Sequence, residues 1–345
     1  MSRIGVLVMA YGSPERTSDI EAYYTHIRRG RRPDPERLAE LEAKYERIGG
    51  SPLNRITEEV AGKLEARLNA GTARAVFRTY VGMKHWRPYI ADAVDRMASD
   101  GIREGVLLVL APQYSRMSVA EYLKTARERG GERGVEFVEI ESWHLEPGYI
   151  ALMARRAREA LNRFPDQGRS AYALFTAHSL PERILQWDDP YPRQLMETAA
   201  AVASQAGIAR WRFAYQSASQ TGEPWLGPDI LDVLDELGRG GEKQVLVVPV
   251  GFVSDHLEIL HDIDIEAKEK AESLGIELRR TESPNADDEF VGALAHVVRR
   301  SISRLSDSPI GAGGSGSAGR SGSGSGSENE SASGGASGGE GGEHA

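Results

Sequence analysis

The sequence predicts an α/β protein of two similar doubly wound domains, each on a four-stranded parallel sheet, with a ligand cleft between them. Two observations predict this. Short runs rich in Val, Leu, Ile and Phe alternate along the 345 residues with stretches of helical period, and that order gives parallel strands joined by right-handed crossovers. The runs also fall into two sets of four, at 4–9, 75–80, 105–111 and 135–140, then at 171–176, 212–215, 244–250 and 276–279. They lack strict polar alternation, as expected of strands covered on both faces.

Helices are predicted between the strands. The first set lies at 20–28, 35–47, 55–69, 87–99 and 119–129, and the second at 149–164, 191–206, 228–237 and 257–274. A last helix is expected at 288–305. Beyond it, 307–345 is almost all Gly, Ser, Ala and Glu, with Ile310 its only large apolar residue. Such a segment cannot bury enough surface to offset its ordering entropy, and it is expected to be a solvated, disordered tail. In a doubly wound fold, ligands sit beyond the carboxyl ends of the strands, which makes strand ends the places to look for chemistry.

Composition removes several classes. With no cysteine, disulfides, thiolate catalysis and a cysteine-held iron–sulfur cluster are excluded. The net charge of −9 disfavours a general nucleic-acid role, since phosphate binding favours a basic surface. No apolar run is long enough for a membrane-spanning helix, and the opening MSRIGVLVMAYGSP reads as a first strand, not a secretory signal. These features point to a cytoplasmic protein. Neither GxxxxGK[ST] nor a GxGxxG after the first strand is present, so the fold carries no sign of a nucleotide cofactor.

Four segments offer chemistry. In LFTAHSLPE, 174–182, a buried strand ends in His178. A neutral imidazole there can bind a borderline metal or accept a proton near neutral pH; a hydrogen-bonded structural histidine is the alternative. In VPVGFVSDHLEILHDIDIE, 248–266, a second strand leads into a helix that carries Glu258, Asp262 and Glu266 at i, i+4 and i+8. On a continuous α-helix these carboxylates share one face over about 12 Å. Like charges so spaced weaken a helix, which suggests a gain in metal hydration or proton relay; a merely solvated acidic face is the alternative. Tyr11 tips the first strand, where it either faces the cleft or packs. YYTHIRRGRRP, 23–33, groups four arginines whose forks suit carboxylates or phosphates, unless they are simply solvated.

Taken together, MAYGSP, YYTHIRRGRRP, IGGSP, LAPQ, TAHSLPE, Gln216-Ser217, PWLGPD and VPVGFVSDHLE resemble the ferrochelatases, specifically the coproporphyrin-type enzymes of Gram-positive-like bacteria. The similarity runs from about Ile4 to Leu305. It implies a class II chelatase-like fold with a porphyrin cleft, divided as 1–140 plus 285–306, whose last helix returns to the first half, and 141–284. It implies iron insertion into coproporphyrin III in haem biosynthesis, with ferrous iron as substrate and no organic cofactor. His178 and Glu258 would form the inner metal site and accept protons, and Asp262 and Glu266 would continue the metal ladder. Tyr11 would face the macrocycle from the other side. Arg28, Ser51 and Tyr122, with Lys44 and Tyr45, would hold propionates; Lys44 stands where the family carries an arginine and lacks its fork. His85 and Trp225 are candidate cleft walls. Transient contact with the next haem-pathway enzyme and a monomeric state are also expected. Alternatives are a protoporphyrin IX ferrochelatase, a cobalt or nickel chelatase of another tetrapyrrole, and a non-catalytic haem carrier.

Overall fold

The computed structural model describes residues 2–71, 75–219 and 221–306; the predicted tail at 307–345 lies outside them. The first set of elements is β1 (Ser2–Ala10), α1 (Ile20–Ile27), α2 (Pro35–Ile48), α3 (Leu53–Asn69), β2 (Ala75–Met83), α4 (Ile90–Ser99), β3 (Glu104–Val109), α5 (Val119–Arg133) and β4 (Glu136–Ile140). The second is α6 (Pro147–Leu161), β5 (Tyr172–His178), a 3₁₀ turn (Glu182–Trp187), α7 (Tyr191–Ala206), β6 (Trp211–Gln216), α8 (Ile230–Arg239) and β7 (Gln244–Pro249). It continues through α9 (Leu257–Leu260), a π turn (Asp262–Ala267), α10 (Lys268–Ser273) and β8 (Glu277–Arg280) to α11 (Asp288–Ser306).

The strands form two four-stranded sheets, ordered β2-β1-β3-β4 and β6-β5-β7-β8, with every neighbouring pair parallel. The two orders correspond strand for strand. In each, the chain crosses from one side of the founding strand to the other, so β1/β3 and β5/β7 are the switch points where ligands gather. Tyr11 follows β1, and His178 ends β5.

Local chemistry explains the helix ends. Asp34 caps α2 by accepting from the Glu36 backbone nitrogen at 2.9 Å, with Pro35 in the first turn, and Gly49 closes it at φ +70°. Asp229 caps α8 in the same way at 2.8 Å.

One apolar cluster runs through both halves. It joins Val6 and Val8 of β1 to Phe175 of β5 and Leu246 of β7, around Trp143, Tyr149 and Phe290. Buried polar groups stitch the same region, with the Tyr149 hydroxyl donating to the Val250 carbonyl at 2.8 Å and Gln113 Nε2 donating to the same oxygen at 3.1 Å. Helix α11 packs on α3, α6, β3 and β4.

Where the sequence predicts one α-helix at 257–274, the structure has α9, a π turn and α10. Glu266 donates its backbone N–H to the His261 carbonyl at 2.9 Å, an i→i+5 bond. The wider turn keeps Ile259, Ile263 and Ala267 fully buried while shifting the polar residues round the axis. The simple i, i+4, i+8 ladder is corrected accordingly.

Candidate active site

His178 is half-buried at the end of β5, in register with Gln216 of β6. Gly251 passes against β5 so closely that a Cβ there would lie 2.4 Å from the Ala177 Cβ. This packing brings the chain after β7 alongside His178. The His178 Nδ1 donates to the Ser179 carbonyl. A carbonyl can only accept, so Nδ1 carries a proton, and Nε2 is the ring nitrogen left to ligate an ion or take a further proton. That Nε2 lies 3.6 Å from Glu258 Oε1, a separation that two ligands of one ion can span at metal–ligand bonds of about 2.1 Å.

The other carboxylate oxygen has a matching neighbour. His256 Nε2 stands 3.6 Å from Glu258 Oε2, and its Nδ1 donates to the Ser254 carbonyl at 2.9 Å. Burial alone raises the Glu258 carboxyl, but His178 and then His256 outweigh it and hold the group below the usual carboxylate range. Burial likewise pulls His256 down, and Glu258 more than restores it, leaving the imidazole above its ordinary value. The backbone of Glu258 is fixed by Gln216 Nε2, which donates to its carbonyl at 2.9 Å.

One turn further on, Asp262 is buried. Ser217 donates its hydroxyl to Oδ2, His261 Nδ1 donates to Oδ1 at 3.1 Å, and the Lys44 ammonium lies 3.5 Å from the same Oδ1. Burial raises the Asp262 carboxyl, and His261, Lys44 and Ser217 together hold it low. Lys44 and Arg47, which pairs with Glu269 at 2.6 Å, both extend from α2. The first half is thereby tied to the helix that carries the carboxylates.

At the end of β1, Tyr11 is 39 % exposed and packs beside His85 at a ring separation of 4.6 Å. Gly12 turns the chain there at φ +87°, where a Cβ would meet the Trp86 backbone nitrogen at 2.9 Å, so a side chain would both clash and sit in the left-handed region. Asn54 holds the turn from both sides, accepting from the Ser13 nitrogen at 3.0 Å and donating to its carbonyl at 2.8 Å. Desolvation and then the Glu258 charge push the Tyr11 phenol well above its usual range. The same charge reaches Tyr23, Tyr45 and Tyr122, all from the first half. Glu258 therefore lies within electrostatic reach of these first-half tyrosines. His85 is pushed down to about 3, first by desolvation and then by Lys84 and His26, and is neutral.

The remaining expected residues are distributed as follows. Arg28 lies near the Tyr24 ring, its carbon 5.9 Å from the centroid, with a buried Nε that makes no hydrogen bond. Ser51 accepts from the Leu53 nitrogen at 3.4 Å at the start of α3. Buried Tyr45 shares a hydrogen bond with the Ser13 hydroxyl at 3.1 Å. Buried Tyr122 lies under the Lys84 ammonium, 5.3 Å from its ring centre, and Lys84 pairs with Glu121. Trp225 stands 6.3 Å from the His178 ring. Glu266 is exposed. Sequence reasoning gave no role to His256, His261, Ser217 or Asn54. His256 stands inside the motif that supplied Glu258, and its spacing of two residues was the available signal.

Two doubly wound sheets, the second of which carries an imidazole at the end of β5 and a carboxylate on α9 beyond β7 that meet at 3.6 Å, define a protein of the chelatase class. Sirohydrochlorin chelatase SirB of Bacillus subtilis shares the fold, with a TM-score of 0.58 at 10 % identity in a structure with Fe3+ (89 % of this chain, 98 % of that one). A cobalt complex of SirB from subspecies spizizenii gives 0.53 at 9 %, with the same coverage. The chain belongs to the ferrochelatase family, enzymes that insert metal into porphyrin, and the family model matches residues 3–302. It is 47 % identical over 307 residues to the coproporphyrin III ferrochelatase of Geobacillus kaustophilus (88 % of this chain, 97 % of that one). Identity is 45 % over 301 residues to the coproporphyrin III ferrochelatase of Oceanobacillus iheyensis (86 % and 96 %). Among the described residues no helix is long and apolar enough to cross a membrane.

Proposed function

We propose that this chain inserts ferrous iron into coproporphyrin III, giving iron coproporphyrin and two protons in haem biosynthesis. The observation that carries the proposal is the His178–Glu258 pair: an imidazole nitrogen 3.6 Å from a carboxylate oxygen, in a chain 45–47 % identical to coproporphyrin III ferrochelatases. Iron is substrate here, and the chemistry needs no organic cofactor because no electron is transferred.

Insertion requires stripping water from the ion, removing two pyrrole protons and exposing the nitrogen lone pairs. His178 Nε2 and Glu258 ligate the ion transiently and accept the protons, a nitrogen and an oxygen base within reach of each other. Asp262 and Glu266 continue toward solvent as the route of ion or proton exchange. Tyr11 faces the macrocycle from the opposite wall and ligates the product iron. Arg28, with a buried Nε lacking a partner, gains its missing hydrogen bond from a propionate; Ser51, Tyr122, Lys44 and Tyr45 line the remaining propionate positions.

The two repeats, 1–140 plus 285–306 and 141–284, are the functional halves between which the porphyrin sits. We further assign the protein to the cytoplasm as a monomer that meets the next haem-pathway enzyme transiently. The test is anaerobic turnover of Fe(II) with coproporphyrin III and protoporphyrin IX, for wild type and His178→Ala. Preferred turnover of coproporphyrin, lost in the variant with porphyrin binding retained, supports the proposal. Faster protoporphyrin turnover overturns the substrate assignment, and full activity of His178→Ala overturns the mechanism.

A further inference from the structure

We infer that His26 is a positioning residue for the reaction: it holds the His85 imidazole, and through it the Tyr11 ring, in the orientation that ligation of the product iron needs. The inference deepens the iron-insertion reading and rests on it for the role of Tyr11 as a ligand.

A row of four rings carries it. Tyr11 packs beside His85 at 4.6 Å, with the ring planes 52° apart. The Nδ1 atoms of His85 and His26 lie 3.2 Å apart, and the two imidazoles cross edge to face. His26 in turn stacks on Tyr89 at 4.9 Å and 24°. The backbone beneath the row is fixed. His85 donates its N–H to the Tyr11 carbonyl at 2.8 Å and Lys84 donates to the Ala10 carbonyl at 2.9 Å, so β1 and β2 stay joined beyond their ends. Tyr89 is anchored close by, where the Met83 N–H donates to the Pro88 carbonyl at 2.7 Å. These bonds set the Tyr11 main chain and leave its two side-chain torsions to a packed neighbour. His85 is that neighbour, and its own ring needs a restraint.

The contact between the imidazoles supplies what stacking alone cannot. Desolvation lowers both rings, His85 to about 3 and His26 in the same direction, so both are neutral in the neutral range. A neutral imidazole carries one N–H. Two Nδ1 atoms at 3.2 Å therefore share one hydrogen, and the tautomer of either ring fixes that of the other. A flip of the His85 ring would put a carbon where its Nδ1 stands and break the bond. His26 itself is held from two sides, by the Tyr89 stack and by its place in the last turn of α1. Another residue of that helix, Tyr23, donates its hydroxyl to the Gly12 carbonyl at 3.2 Å. One helix thus grips the turn after β1 twice, by the backbone of Gly12 and by the ring that backs Tyr11.

The test compares full-length wild type with His26→Phe, His26→Asn and Tyr11→Phe. His26 is exposed, so its replacement leaves the core intact. Phenylalanine keeps a ring on Tyr89 and removes the hydrogen bond, whereas the asparagine amide lies near the Nδ1 position and can donate or accept. Without porphyrin, NMR of isotope-labelled tyrosine reads the Tyr11 ring, whose signals Tyr11→Phe identifies. Those signals are expected to move in His26→Phe and to return toward wild type in His26→Asn; His85 stands between the two residues, so the change passes through it. With Fe(III) coproporphyrin III as probe, wild type should show a phenolate-to-iron charge-transfer band, the phenol proton leaving to water. His26→Phe is expected to diminish the band and weaken binding of the probe by about tenfold, and His26→Asn to restore both. Unmoved Tyr11 signals in His26→Phe overturn the inference, as does an equal loss in His26→Asn. A band that persists in Tyr11→Phe overturns instead the ligand role of Tyr11, while the porphyrin-free NMR comparison still decides whether His26 orients that ring.

Discussion

His256 Nε2 lies 3.6 Å from Glu258 Oε2 while His178 Nε2 lies 3.6 Å from Oε1, so one carboxylate is held between two imidazoles. Each imidazole is oriented by a carbonyl that fixes its proton on Nδ1. The arrangement holds Glu258 in its carboxylate form and turns the His178 Nε2 toward one of its oxygens.

The first prediction concerns pH. The folded-state value of Glu258 is lowered and that of His256 raised. The Glu258 contribution to stability is present above its unfolded value and lost as pH falls through the folded one. The His256 contribution is present below its unfolded value and lost as pH rises through the folded one. Their mutual support therefore spans the interval from below the ordinary carboxylate range to above the ordinary histidine range. His256→Gln removes one restraint, so Glu258 protonates at a higher pH, and the acid limb of kcat/KM moves upward by about one pH unit. An unmoved acid limb in pH profiles of metal insertion would refute the coupling.

Glu258→Gln and His178→Ala are each expected to reduce insertion by about 10²–10⁴-fold. The double variant should be little slower than the worse single one, because the pair acts as a unit. Stopped-flow insertion rates read this, with porphyrin fluorescence quenching as the check on binding. Multiplicative losses would mean that the two residues act independently.

Ser217 carries φ +61°, a left-handed conformation costly to any residue with a Cβ, and its hydroxyl bonds Asp262. Ser217→Ala loses the bond and keeps the strain; Ser217→Gly loses the bond and relieves it. The glycine variant should be the more stable of the two by about 1 kcal/mol, measured as the difference in urea midpoints. Equal midpoints would place the strain elsewhere.

Phe290 of α11 is fully buried against Trp143 and Tyr149, at ring separations of 5.9 and 6.4 Å. Phe290→Ala should cost about 3–5 kcal/mol and should speed amide exchange in α11 and in the faces of α3 and α6 it covers. A loss below 1 kcal/mol would show that α11 is not part of the cooperative core.

Much of this architecture was legible in the chain. All eight strands fall within a few residues of their expected positions, because apolar runs bounded by turn residues are local signals. His178 and Tyr11 were legible for the same reason, since each sits where a strand stops. The helix at 257–274 was misjudged in its interior. Periodicity measures which residues are apolar, and Ile259, Ile263 and Ala267 stay buried on either an α or a π path, so the pattern could not distinguish them.

The sequence by itself determined the eight strands, the repeat and the residue types at their ends, through side-chain periodicity and turn chemistry that act over a few residues. Only the tertiary structure decided that His178 and His256 share the Glu258 carboxylate, that Lys44 reaches Asp262, and that His261 lies beside Glu266. Those relationships depend on how two sheets pack and how one turn widens, and packing acts between segments that are remote along the chain.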